Sequence, residues 1–145
     1  MRGGFRNGTL TYNEEYCAGF VSLLPIPSAF MERVMLKSKI HRATLTGTDL
    51  DYEGSITVDA DLLDAADIIP NEQVHVLNIN NGSRLVTYAI EGPRGSGTML
   101  LNGPAARSGM IGDMIVVLTY ANMNEEELAN HRPRIVNVDK NNRLI

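Results

Sequence analysis

Within the run Tyr52-Glu53-Gly54-Ser55, the Gly54-Ser55 pair sets a residue without a Cβ directly before a hydroxyl nucleophile. In most chains such a pair is a turn entering a strand. It also carries a second chemistry. The serine Oγ can attack the carbonyl carbon of the residue before it, moving the chain from amide to ester. Glycine at position 54 helps, because it tolerates strained backbone that favours the attack. β-Elimination of the ester leaves a dehydroalanine. Hydrolysis then releases ammonia and leaves a pyruvoyl ketone at the new N-terminus. On this reading the chain cuts itself into 1–54 (or 31–54) and 55–145, and Ser55 becomes a covalently built electrophile.

Several residues around the pair fit such a centre, and each also has a plainer reading. Arg84 is either a solvated strand residue or a planar clamp for a carboxylate, with two parallel hydrogen bonds. Lys39 and His41 are alternate positions of one strand and share a face, as an exposed basic edge or as part of a pocket. Thr87 and Tyr88 are ordinary strand formers. Adjacent strand residues point to opposite faces unless the strand bends. A phenol of ordinary acidity, near about 10, is protonated at neutral pH and can deliver a proton without prior activation. Asn102-Gly103-Pro104-Ala105 is either a turn into a helical stub or a loop of small residues and backbone donors suited to a carboxylate. Tyr52 and Ile56 flank the Gly-Ser pair as possible pocket residues, and Glu53 reads as a solvated charge. The turn 92–97 is glycine-rich but lacks the Lys-Ser/Thr ending of a phosphate loop.

The elements that must hold these residues are short. Strands are expected over 39–46, 55–58, 73–79, 84–90, 98–101, 114–120 and 134–138. Asn81-Gly82 reads as a hairpin turn, since both residues tolerate positive φ. Asp59 is an N-cap for a brief helix over 60–66 that ends before Pro70, and Pro104 suits the first position of a helical turn over 104–107. Asn124 caps a helix with Glu125, Glu126 and Glu127 in its first turn, where acids suit the dipole. Many short strands with few helices point to a mainly β fold, closed or partly closed as a barrel.

At 145 residues the chain suits one domain with a single core. A net charge of -4 argues against a nucleic-acid module, which needs many cations against phosphates. Cys17 is the only cysteine, so neither an intrachain disulfide nor a cysteine zinc cluster is expected. His41, His75 and His131 lack metal-ligand spacing, so no metal is expected either. No apolar run approaches the roughly 18 residues of a membrane span. Residues 1–30 read as a loosely held extension, with Met31 as a candidate functional start. Two prolines and two glutamates there argue against a secretory signal.

Four stretches taken together resemble a known family. Met-Leu-Lys-Ser-Lys-Ile-His-Arg (35–42), Asp-Leu-Asp-Tyr-Glu-Gly-Ser (49–55), Asn-Gly-Ser-Arg-Leu-Val-Thr-Tyr-Ala-Ile (81–90) and Leu-Asn-Gly-Pro-Ala-Ala-Arg (101–107) resemble the bacterial aspartate 1-decarboxylases in order and spacing. The resemblance covers nearly all of 31–140 and leaves out 1–30. It implies a double-psi β-barrel, a cytoplasmic homotetramer, and a pyruvoyl cofactor made from Ser55. The implied reaction is α-decarboxylation of L-aspartate to β-alanine for pantothenate and coenzyme A, through a Schiff base. The sequence names no maturation partner, and neither nucleic acid nor membrane is implied. By resemblance, Thr87 assists cleavage as a donor to the Gly54 carbonyl and later contacts substrate. Tyr88 is the proton donor. Arg84, Lys39, Asn102, Gly103, Pro104 and Ala105 contact substrate, and His41 shapes the pocket. Pro104 stands where an alanine is common, which removes one backbone N–H; Leu77 stands where some members have tryptophan. Two other classes remain open: a swapped-hairpin DNA-binding barrel with the bond intact, and a hydrolase in which cleavage leaves Ser55 with a free amine.

Overall fold

The computed structural model describes residues 31–145; the expectation for the first thirty lies outside them. Eight strands form one sheet: β1 (Arg33–Thr44), β2 (Gly47–Asp49), β3 (Ser55–Asp59), β4 (Gln73–Asn78), β5 (Arg84–Gly92), β6 (Met99–Asn102), β7 (Met114–Met123) and β8 (Arg134–Asn137). Helix α1 (Ala60–Ala66) follows β3, a 3-10 segment (Gly103–Ser108) follows β6, and α2 (Glu125–Asn130) follows β7. The fold is mainly β, as expected.

The order across the sheet is β2-β6-β3-β5-β4-β7-β1-β8. β1 and β2 are joined only by Leu45 and Thr46, yet β2 is one edge and β1 lies beside the other. The sheet therefore curls until its two ends approach, as a barrel does. Two bonds pin that closure: Leu45 N–H donates to the Asp113 carbonyl and Thr46 N–H to the Met99 carbonyl, both at 2.8 Å. Ile40, Ile56, Val58, Val76, Leu101 and Val117 fill the interior with no more than 1% exposure. Inward and outward residues alternate along β4 and β5, as the pleat requires.

Local signals place most elements, and the departures have causes. β1 starts six residues before the expected strand because Arg33 pairs with Met123 at the far end of β7. From Arg33 to Lys37 that stretch is exposed or half-buried, so it carries no alternation to read. Asp59 caps α1, its Oδ1 accepting from Asp61 N–H at 2.9 Å, and left-handed Asp67 ends the helix. Asn124 forms the capping box with Glu127. The β4–β5 turn is longer than a two-residue hairpin. Asn78 N–H still bonds the Ser83 carbonyl, but only Gly82 has positive φ (77°). The cause is Asn78, whose side-chain oxygen accepts the N–H groups of Asn80 and Asn81 and draws the loop into a local turn.

Candidate active site

β2 runs parallel to β6 and β3 antiparallel to it, so the two flank β6 on opposite sides. The chain from β2 to β3 must therefore cross over the end of β6. Residues 50–54 form that arch, and Asp49 starts it by accepting Asp51 N–H at 3.0 Å. Asn102, the last residue of β6, is the register partner of both Asp49 and Ser55. Gly103 lies directly under the arch. A Cβ there would sit 2.5 Å from the Tyr52 carbonyl oxygen and 2.8 Å from the Gly54 nitrogen, so the crossing requires glycine.

The backbone is strained at the foot of the arch. Gly54 has φ 118° and Ser55 has φ 102°. Glycine adopts such values freely, whereas for serine they cost on the order of 1–3 kcal/mol. Ser55 is 2% exposed. Its Oγ accepts a hydrogen bond from Asn102 Nδ2 at 3.1 Å, and the same nitrogen donates to Thr57 Oγ1 at 2.9 Å. Accepting that bond holds Oγ in place and leaves its own hydrogen free for transfer. A cavity of about 360 Å³ opens beside the bond, lined by Gly54, Ser55, Thr87, Tyr88, Pro104 and Ala105, with Glu53, Leu85, Val86 and Ser108 completing the wall. Thr87 and Tyr88 reach one cavity although the pleat alternates them, the first half-buried and the second 37% exposed.

The remaining expected residues fall into two groups. Asn102 and Ile56 are buried behind the bond; Ile56 packs in the core between Ala89 and Leu101. Gly103 lines a neighbouring cavity of about 510 Å³ on the other side of Pro104. Tyr52 is exposed on the arch. Arg84, Lys39 and His41 lie away from the cavity, on the outer face of the sheet. Arg84 and Tyr88 occupy alternate outward positions of β5, roughly 13 Å apart. The pairs Val86–His75, His75–Leu118, Leu118–Lys39 and Lys39–Ile135 form one row across that face. Lys39 thus sits three strands from Val86, about 14 Å. Burial lowers the His41 pKa, helped by the charges of Lys39 and Arg42, so the ring favours its neutral form. Its Nδ1 is buried without a partner. Among the described residues, no cluster of three His, Cys, Asp or Glu could hold a metal, and no helix is long and apolar enough to cross a membrane.

Residues 31–145 match the family described as aspartate decarboxylase. The chain is 57% identical over 115 residues to the aspartate 1-decarboxylase of Thermoanaerobacter pseudethanolicus, covering 79% of this chain and 98% of that one. It is 58% identical over 110 residues to that of Dehalococcoides mccartyi, covering 76% and 89%. It is 55% identical over 115 residues to that of Myxococcus xanthus, covering 79% and 88%. The chain belongs to the aspartate decarboxylase family. Aspartate decarboxylases are carboxy-lyases, enzymes that break a carbon–carbon bond. The match begins at Met31, where the described residues begin.

Two features of this family member were not singled out in its sequence. Thr57 shares the Asn102 amide with Ser55, and Gly92 packs against Thr57, where a Cβ would lie 3.0 Å from the threonine methyl. The period-two spacing of Ser55 and Thr57 on β3 could have flagged the first. The second depends on pairing between β3 and β5, which no local pattern reveals. Pro104 is the second residue of the 3-10 segment, within its first turn, so its missing N–H costs no hydrogen bond within that segment.

Proposed function

We propose that this chain cuts itself between Gly54 and Ser55 and then decarboxylates L-aspartate at the α-carboxylate, giving β-alanine and carbon dioxide. The observation that carries this reading is the strained Gly54–Ser55 pair with its buried, donor-held hydroxyl. In the first step Ser55 Oγ bonds to the Gly54 carbonyl carbon, the Gly54–Ser55 C–N bond breaks, and the hydroxyl proton passes to the freed nitrogen. Relief of the positive φ at Ser55 favours that departure. Thr87, which lines the same cavity as Gly54, would stabilise the oxygen of the Gly54 carbonyl as charge develops there. Loss of the Ser55 α-proton expels the Gly54 carboxylate. Water then replaces the nitrogen, released as ammonia, so the change consumes one water and needs no oxidant or reductant.

The residues around Ser55 fit the pyruvoyl product, whose ketone needs no more room than the serine it replaces beside a cavity open to a small amino acid. That group supplies an electron-accepting carbonyl for the loss of carbon dioxide. The chain's own side chains do the rest. Arg84, which lies outside this copy's own cavity, binds the side-chain carboxylate from a neighbouring copy, each charged hydrogen bond being worth about 1.5–3 kcal/mol. Tyr88 delivers a proton to the α-carbon. Pro104 and Ala105 wall the cavity, with Asn102 and Gly103 behind them.

Arg84, Lys39 and His41 enter this scheme through a homotetramer. The outer face carrying Lys39, Arg84 and Tyr88 also exposes Val86 (58%), Ile135 (47%) and Tyr120 (41%), an apolar surface suited to a second copy. Packing one copy's outer face near another's Ser55 would bring Lys39 to the substrate carboxylates. β-Alanine formed this way would feed pantothenate and coenzyme A in the cytoplasm.

Intact mass spectrometry of purified protein tests the scheme. Two fragments are expected, the second lighter by one ammonia than a serine-started 55–145. A serine-started fragment would indicate a hydrolase instead, and an active, unbroken chain would exclude both. Ser55→Ala is expected to stay whole and inactive.

A further inference from the structure

We propose that Thr57 is a positioning residue for self-cleavage: its hydroxyl fixes the Asn102 amide, and through it the Ser55 nucleophile. The proposal rests on the self-cleavage reading above. Ser55 and Thr57 are alternate residues of β3, so they share a face. Asn102 stands opposite Ser55 in the antiparallel pair and diagonal to Thr57, within side-chain reach of both. Its Nδ2 donates to both hydroxyls, at 3.1 Å and 2.9 Å. Its Oδ1 is buried and has no partner.

That asymmetry singles Thr57 out. An asparagine χ2 torsion is broad and roughly two-fold, so the amide plane needs an anchor. With Oδ1 unpartnered, Thr57 Oγ1 is the only anchor besides Ser55 itself among the described residues. Without it the amide can turn and present Oδ1 to Ser55. The serine would then spend its hydrogen on Oδ1, and its Oγ would leave the position from which it attacks Gly54. Thr57 is itself held. β-Branched residues have restricted χ1, and the Thr57 methyl occupies the space a side chain at position 92 would take, 3.0 Å from an ideal Cβ on Gly92. With the methyl fixed there, Oγ1 faces Asn102.

Hydroxyl and methyl can be separated by substitution. Thr57→Val keeps the branched shape and loses the hydroxyl. Thr57→Ser keeps the hydroxyl and loses the methyl. Cleavage is followed by intact mass after purification of the full chain, with melting midpoints measured in parallel. Thr57→Val is expected to cleave about tenfold more slowly than the unsubstituted chain, the effect of one neutral hydrogen bond. Thr57→Ser is expected to stay within about threefold of it, rescuing the valine variant. A packing role predicts the reverse order, with serine slower than valine. Thr57→Ala and Thr57→Ser form a second pair differing only in the hydroxyl, which decides the question if the valine variant does not accumulate. Equal rates within either pair, in a chain that otherwise cleaves, would overturn the role of Thr57 and leave the function standing. An unsubstituted chain that never cleaves would overturn both.

Discussion

Replacing Gly103 by alanine should uncouple folding from self-cleavage. The arch carrying Gly54 rests directly on this residue. An added Cβ would lie 2.5 Å from the Tyr52 oxygen, 2.8 Å from the Gly54 nitrogen and 2.9 Å from the Gly54 Cα, all backbone atoms that cannot rotate away. Restoring ordinary contact near 3.4 Å lifts the Tyr52 carbonyl by about 0.9 Å. Gly103 also has φ 56°, where an alanine costs roughly 1–2 kcal/mol. A shift of about 1 Å in reacting atoms costs on the order of 10²-fold in rate, or about 2.7 kcal/mol. Gly103→Ala should therefore fold with a modestly lowered melting point and cleave about 100-fold more slowly, read from the intact-mass time course. Gly82→Ala is the matched control. Gly82 has φ 77° but nothing within 4 Å of an added Cβ, so it bears the conformational cost without touching the arch. It should cleave at the ordinary rate. Equal cleavage by the two variants would refute the link between the height of the arch and the attack of Ser55.

Arg84→Ala should mature normally, because Arg84 lies outside the cavity beside the bond, yet lose about 10–100-fold in kcat/KM for aspartate with the charged pair. Unchanged kinetics would remove it from the substrate site. The Asp59 carboxylate gives a pH prediction. Burial raises its pKa, but the N–H groups of Gly97, Asp61 and Gly95 and the nearby Arg143 guanidinium outweigh that and hold it below the usual value. A depressed carboxylate stabilises the fold above the unfolded pKa, near about 3.9, and that contribution is lost as pH falls through the lower, folded value. Thermal midpoints at matched protein concentration should therefore drop below about pH 4. Asp59→Asn, which turns an N–H donor toward another donor, should cost about 1–3 kcal/mol at neutral pH and flatten the acid dependence. A variant with unchanged midpoint and acid slope would show that the Asp59 cluster does not hold this end of β3.

What was legible in the sequence divides along a physical line. Capping residues, alternating strands and the Gly54-Ser55 pair act within a few positions of themselves, so Asp59, Asn124 and β4 could be read directly. The first half of β1 escapes a local reading because Arg33 to Lys37 are exposed or half-buried with no alternation, and the β4–β5 turn departs from a two-residue hairpin because Asn78 competes for the backbone donors of the loop. The site was legible as a set of residue types and not as an arrangement. Nothing near Ser55 announces that β6 will lie between β2 and β3. Yet that insertion makes Asn102 the partner of Ser55, sets Gly103 under the arch and brings Thr57 to the same amide. The separation of Lys39 and Arg84 from the Ser55 cavity has the same origin: it is fixed by the order of strands around the barrel. A cleavage site built this way has a specific weakness. Its chemistry depends on a loop crossing a strand end at one height, so the residues most sensitive to change lie beneath the loop, where a sequence shows only a short strand and a glycine.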